Sequence, residues 1–212
     1  MNHDAIRVIL VDDHAVVRAG FRRLLEQHST IEVVADADDG DTAYALTVEH
    51  KPDVVVMDLS MPGVSGLETI RRIATRQATA RILVFSMHED AALAERAIQL
   101  GARGYVTKIS APETLATAVA EIAAGKLYLS ADIAKSIAIL KLTGNDHPVT
   151  ALSSREFEIF RLFVSGRQMA EIAKTLNLSG KTIANYHTMI KHKLGIGSDV
   201  ELVLLAARHK LL

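Results

Sequence analysis

The chain has 212 residues, 49% of them hydrophobic, no cysteine, and 24 Lys+Arg against 25 Asp+Glu for a formal net charge of −1. This excludes disorder, a disulfide scaffold, Cys-ligated zinc and thiol catalysis. The charge is split, with 12 Lys+Arg and 18 Asp+Glu in residues 1–125 but 9 and 5 in residues 148–212, so an acidic body carries a small basic tail, an asymmetry that points to nucleic acid. Taken in chain order, β-branched apolar runs at Ile6–Val11, Ile31–Ala37, Val54–Met57, Ile82–Phe85 and Gly104–Thr107 alternate with helical patterns near Ala15–His28, Asp41–Glu49, Gly66–Thr75, Ala91–Leu100 and Ala111–Ala124. Runs one, three and four are apolar nearly throughout, as parallel strands covered on both faces are. Five strands alternating with five helices predict an open, doubly wound α/β sheet. A further helix over Ser130–Leu142 and a turn-rich stretch at Thr143–Pro148 form a linker, giving domains at 1–125, 126–149 (linker with one helix) and 150–212. Ser65 with Glu68, Ser110 with Glu113, Ser153 with Glu156 and Ser198 with Glu201 each fit a helix-capping box. No apolar run nears the roughly 20 residues of a membrane helix, and the N-terminus lacks a signal-peptide pattern, so a cytoplasmic location is expected.

Ligands of open α/β sheets sit beyond the carboxyl ends of the strands. Those ends carry Asp12 and Asp13 after strand one, Asp58 after strand three, Ser86 at strand four and Lys108 after strand five. Three carboxylates, a hydroxyl and an ammonium would converge at one edge. Such a set suits Mg²⁺, which takes oxygen ligands and keeps waters that a phosphate can replace. A carboxylate beside the ion can attack phosphorus and form an acyl phosphate. Asp36, Asp38 and Asp39 read instead as cap or turn residues.

With Val-Asp-Asp at 11–13, Met57-Asp58-Leu59-Ser60-Met61-Pro62-Gly63 with Gly66, Ser86, and Gly104-Tyr105-Val106-Thr107-Lys108, the first 125 residues resemble the flavodoxin-like receiver domain of two-component response regulators. The resemblance implies Asp58 as phosphoacceptor. It implies Mg²⁺ held by Asp13, Asp58 and the Ser60 backbone carbonyl, with Asp12 acting through water. Ser86 and Tyr105 resemble the switch pair of that family, and Lys108 the partner of the phosphoryl group. The side chains of Ser60, Met87 and His88 flank the site and are expected to tune phosphoryl lifetime. Ile109 departs from the pattern, because many receivers carry proline there.

The tail reads as four helices, near Ser154–Val164, Gln168–Leu176, Gly180–Leu194 and Asp199–Lys210, making the second domain smaller and all-α. The second and third helices, joined by Asn177-Leu178-Ser179, form a helix-turn-helix with Ser179 as N-cap. At 100° per residue, Ile183, Tyr186, Ile190 and Leu194 face the core, while Lys181, Ala184, Asn185, Thr188 and His192 occupy the opposite arc. Small, polar or cationic residues suit a helix lying in a major groove, with Lys191 and Lys193 flanking it to reach phosphates and Asn185 able to read adenine. Ser179 and Thr182 at the helix start complete the candidate DNA contacts. Over Leu152-Ser-Ser-Arg-Glu156, Gly166, Glu171-Ile-Ala173, Leu176, Lys181-Thr-Ile183, Ile190, Lys193-Leu-Gly195 and Glu201-Leu202, the tail resembles the LuxR-type helix-turn-helix of NarL/FixJ response regulators. Tyr186 departs from the usual His, and fewer cations on the arc than is common in the family shift weight to dimerisation.

Gly180-Lys181-Thr182 ends like a P-loop, but the first required glycine is Thr175, and His88-Glu89 lacks the second histidine of a zinc motif because position 92 is Ala. The expectation is a non-enzymatic, phosphorylation-dependent transcription regulator with Mg²⁺ as cofactor. Its partners would be a sensor histidine kinase, double-stranded DNA and, on activation, a second copy of the chain. The alternatives are a small Mg²⁺-dependent phosphohydrolase using Asp58, or a response regulator with a protein-binding output.

Overall fold

The computed structural model describes residues 5–61, 64–77, 79–109, 112–142 and 148–208, and the chain divides into two compact units, Met1–Ile139 and Leu140–Leu212. In the first, strand and helix alternate as β1 (Ile6–Val11), α1 (Ala15–Glu26), β2 (Ile31–Ala37), α2 (Gly40–His50), β3 (Val54–Met57), α3 (Gly66–Arg76), β4 (Arg81–Ser86), α4 (Ala91–Gln99), β5 (Gly104–Thr107), α5 (Pro112–Ala123), β6 (Tyr128–Leu129) and α6 (Ala131–Leu142). All pairings are parallel, in the order β2-β1-β3-β4-β5-β6. Strands β3 and β5 are buried at every position, as central parallel strands must be, whereas β2 at the edge exposes Glu32 and Asp36. Alternate residues Val8 and Leu10, Val54 and Val56, and Leu83 and Phe85 share one apolar core with Leu25 of α1 and Leu115, Val119 and Ile122 of α5.

The sheet has six strands, not the five expected. Tyr128 pairs with Gly104 and Leu129 with Tyr105, so residues 126–139 belong with the sheet, and Ile133 seals α6 with no exposure. Gly104 permits this: a Cβ there would meet Ile122 Cδ1 at 2.5 Å and the Tyr128 carbonyl oxygen at 2.6 Å. Two residues are too few for a period-two pattern to reveal a strand.

Because the chain leaves β1 outward to β2 and returns to β3 on the other side of β1, connections diverge between the carboxyl ends of β1 and β3. Clefts open at that point in α/β sheets. Gly66 lets the start of α3 press against the end of β3, since a Cβ there would lie 2.5 Å from the Asp58 carbonyl oxygen. Helix starts follow the serine signals: Ser65 accepts from the Glu68 N–H, and Ser153 with Glu156 forms a full reciprocal box. Ser198 accepts from the Glu201 N–H, but the Glu201 carboxylate reaches back to Gly197. The Ser110 cap lies outside the described residues, as do Pro62, Gly63 and most of the Thr143–Pro148 turn.

The second unit holds a short 3-10 turn (Pro148–Ala151), α7 (Ser154–Val164), α8 (Met169–Thr175), α9 (Gly180–Leu194) and α10 (Asp199–Arg208). Leu152, Phe157, Phe160, Ile172, Leu176, Ile183, Ile190 and Leu202 are all buried and form its core. Between α8 and α9 the chain turns through Asn177 in the left-handed region at φ 52°, a conformation asparagine tolerates better than most residues. No described helix is long and apolar enough to cross a membrane.

Candidate functional site

Asp58 follows β3 directly and is 4% exposed. Its Oδ1 accepts the backbone N–H of Leu59 at 2.6 Å and that of Ser60 at 3.3 Å, and its Oδ2 accepts from Lys108 Nζ at 2.6 Å. The same ammonium donates to Asp12 Oδ2, whose partner oxygen takes the His14 N–H at 2.8 Å. One cation from β5 thus ties the carboxylates that end β1 and β3. Burial alone would lower the Lys108 pKa, but its hydrogen bonds to Asp12 and Asp58 and their negative charges outweigh that and hold the ammonium above the ordinary lysine value. The ammonium therefore stays charged throughout the physiological range.

Ser86, the last residue of β4, is fully buried, with Oγ accepting from the His88 N–H at 3.4 Å. Tyr105 is fully buried, and its hydroxyl donates to the His88 carbonyl at 2.8 Å. His88 Nε2 meets Ser60 Oγ at 2.8 Å, so His88 links the β3 loop, β4 and β5. Met87 and Ile109 are exposed, at 59% and 65%. The structure therefore brings Asp12, Asp13, Asp58, Ser60, Ser86, Tyr105 and Lys108 to one edge of the sheet.

On the metal side, Asp12, Asp13 and His14 place one potential ligand atom each within 4.8 Å of one another. Asp13 Oδ1 lies 2.8 Å from His14 Nδ1, yet it is buried and accepts no hydrogen bond among the described residues. An anionic oxygen left unsatisfied fits a hard cation, as does the all-oxygen donor set of the aspartates. Nothing in the sequence marks His14, a lone histidine after two aspartates with no ligand spacing, or Arg18, whose Nη1 donates to the Asp12 carbonyl at 2.6 Å. Asp36, expected as a cap or turn residue, lies in β2 and takes Arg18 and Arg22, while Asp39 does cap α2.

In the second unit, α9 presents Ser179, Lys181, Ala184, Asn185, Thr188, His192 and Lys193 as exposed residues, with Thr182 and Lys191 half-buried. Their polar atoms are not equally available. Ser179 and Thr182 bond each other at the N-cap, and the Thr188 hydroxyl donates back to the Ala184 carbonyl. Lys193 donates to Glu156, which is 2% exposed, at 2.7 Å, and Lys191 donates to Asp199 at 3.0 Å. Burial would raise the Glu156 pKa, but the Lys193 and Ser153 hydrogen bonds outweigh it and hold the carboxyl below its usual range. Lys181, Asn185 and His192 remain as the exposed polar set of this face. The buried side of α9 is Ile183, His187 and Ile190, with Tyr186 and Leu194 only half-buried. His187 takes the core position assigned to Tyr186, its ring 4.4 Å from that of Phe163. Burial, with Lys191 adding to it against the opposing Asp199 charge, lowers its pKa and favours the neutral imidazole.

Comparison with known proteins matches residues 8–120 to the response regulator receiver domain and residues 150–206 to the bacterial regulatory proteins of the luxR family. The chain is 40% identical over 208 residues to the response regulator UvrY of Escherichia coli (strain K12), covering 97% of this chain and 95% of that protein. It is 39% identical over 206 residues to the response regulator GacA of Pseudomonas aeruginosa, covering 96% of each. Among solved structures, RcsB from Salmonella enterica serovar Typhimurium, bound to a promoter in the presence of the phosphomimetic BeF3-, aligns with a TM-score of 0.70 and 30% identity, over 97% of this chain and 100% of that one.

Proposed function

The chain belongs to the response regulators that join a receiver domain to a LuxR-type output domain, and from that premise we propose that phosphorylation of Asp58 controls its binding to promoter DNA. The observation that carries this reading is the buried Asp58 carboxylate at the switch point of the sheet, one oxygen held by two backbone N–H groups and the other by Lys108. It is a transcription regulator and not an enzyme: in this family the aspartyl phosphate is a signal and the output is DNA binding. The receiver takes in β6 and most of α6, to about residue 139, and is joined by a short linker to the output domain from residue 150.

The phosphodonor is a phosphohistidine of a sensor kinase. An Asp58 oxygen attacks phosphorus, the P–N bond breaks, and its electron pair leaves with the imidazole, which takes a proton from water. Asp13, Asp58 and the Ser60 carbonyl would hold Mg²⁺, with Asp12 acting through water, and the ion would offset the negative charge gathered on the phosphoryl oxygens. Lys108, already charged and aimed at Asp58 Oδ2, pairs with a phosphoryl oxygen by a charge-assisted hydrogen bond. Ser86 donates its hydroxyl to another, and Tyr105 holds the inward position behind it. The bonds from Lys108 and Ser86 to phosphoryl oxygens exist only in the phosphorylated state, and that difference is what shifts the equilibrium toward the dimer.

Two output domains of a dimer then place α9 in successive major grooves, about one helical turn apart. Lys181, Asn185 and His192 supply the contacts, RcsB bound to a promoter being the precedent among similar structures. Incubation with a small phosphodonor and Mg²⁺ is the test. Label on Asp58 with increased retention of duplex DNA is expected, and absence of label from the wild-type chain would refute the proposal.

A further inference from the structure

Arg18 lies one turn into α1 and is only 17% exposed at its side chain. Its Nη1 donates to the Asp12 carbonyl at 2.6 Å, and its Nε donates to Asp36 Oδ2 at 3.1 Å. Asp36 is in turn fixed by Arg22 Nη2 at 2.7 Å, while Arg22 Nη1 holds the Val33 carbonyl at 2.8 Å. Burial would raise the Asp36 pKa, yet the two guanidinium groups outweigh it and keep the carboxyl below its ordinary value. The anchor is therefore charged at neutral pH.

The carbonyl that Arg18 grips belongs to the peptide between Asp12 and Asp13. That unit is planar, so holding its oxygen fixes the orientation of the Asp13 N–Cα bond as well as the end of Asp12. The Asp12 N–H is already held by the Ala37 carbonyl at 3.1 Å. With both sides of Asp12 restrained, the two carboxylates leave the end of β1 in set directions, one toward Lys108 and one with the buried, unsatisfied oxygen. Without the Arg18 guanidinium the Asp12 carbonyl would lose its side-chain donor, and the peptide after Asp12 could rotate although the Asp12 N–H, the Asp12 carboxylate and the His14 N–H kept their bonds.

We propose that Arg18 is a positioning residue for the cation site: anchored on Asp36, it locks the Asp12–Asp13 peptide so that both carboxylates are preorganised for a divalent ion. This rests on the reading of the pocket given above. Supporting residues of this kind are commonly worth about ten- to a hundredfold in metal affinity.

The test is titration of the full-length chain with Mn²⁺, read by electron paramagnetic resonance without phosphodonor, alongside the Mg²⁺ concentration giving half-maximal Asp58 labelling. Arg18→Gln is expected to weaken Mn²⁺ binding and raise the half-maximal Mg²⁺ by about tenfold, with the labelling rate at saturating Mg²⁺ kept. Asp36→Asn, which loosens the anchor but leaves the guanidinium, shifts both in the same direction by less. Arg18→Lys, able to keep one bond to the carbonyl, recovers part of the loss and stands in if Arg18→Gln does not fold. Arg22→Gln, which loosens Asp36 but removes no contact with Asp12, should weaken Mn²⁺ binding by no more than Asp36→Asn does. Wild-type affinity in both Arg18 variants, or an equal loss in Arg22→Gln, overturns the proposal. Failure of the wild-type chain to bind Mn²⁺ or take label would instead refute the reading of the pocket itself.

Discussion

In the receiver, Asp12, Asp58 and Lys108 have side chains less than a tenth exposed and are hydrogen-bonded to one another, whereas on α9 Lys181, Asn185 and His192 are exposed and the adjacent Lys191 and Lys193 are tied to Asp199 and Glu156. The first arrangement is a chemical site assembled within one chain, because a buried ammonium and carboxylates are tolerable only when paired. The second is half a site. Its polar groups face outward with no partner among the described residues, while two neighbouring cations secure the domain's own packing. The net tail charge of +4 already subtracts Asp199 and Glu156, so the pairing decides which cations are free and leaves the excess unchanged.

Asp58→Asn removes the nucleophile and should have the largest effect: labelling by phosphodonor and Mg²⁺ should fall to background while DNA binding by the unphosphorylated chain persists. On the other side, Asn185→Ala should lose about 1–3 kcal/mol of discrimination at one base pair if that amide reads a base edge, measurable by competition among single-base variants of a bound sequence. Lys193→Ala separates an internal tie from a DNA contact. Leaving the buried Glu156 carboxylate with the Ser153 N–H but no cation should destabilise the output domain by about 1–2 kcal/mol, discounted because the lysine itself is partly exposed, and faster amide exchange in α7 and α9 would report it. If Lys193 served only phosphates, exchange would not change and only the salt dependence would. Lys181→Ala should do the reverse, lowering the slope of log affinity against log salt by about 1 with exchange untouched.

The smallest effect concerns pH. The Glu156 carboxyl is held below its unfolded range, so its contribution is present above the ordinary glutamate pKa of about 4.3 and is lost as pH falls through the depressed folded value. Amide protection in α7 and α9 should decline with acid in that window, and Glu156→Gln should flatten the decline.

Much of the receiver was legible in the sequence because parallel strands buried on both faces are written as unbroken β-branched runs, and four of the six strands have the expected limits. The carboxylates at their ends were equally plain, since parallel pairing brings those ends to one edge. What the sequence concealed were partnerships. Nothing at position 18 announces a bond to the Asp12 carbonyl, and Asp36 gives no sign that two arginines meet it. A helical wheel sorts residues by polarity, so it assigned the half-buried Tyr186 to the core and overlooked His187, whose imidazole is buried against Phe163. The same wheel displayed Lys191 and Lys193 as free, because it carries no information on Asp199 or Glu156, which come from other helices.

Control of α9 by a phosphoryl group on Asp58 is read from the duplex DNA affinity of the full-length chain, measured at fixed salt with and without BeF3- and Mg²⁺ in wild type and Asp58→Asn. Tighter binding on addition in the wild type and no change in Asp58→Asn is the expected result; an unchanged wild type, or an equal response in the variant, would contradict it.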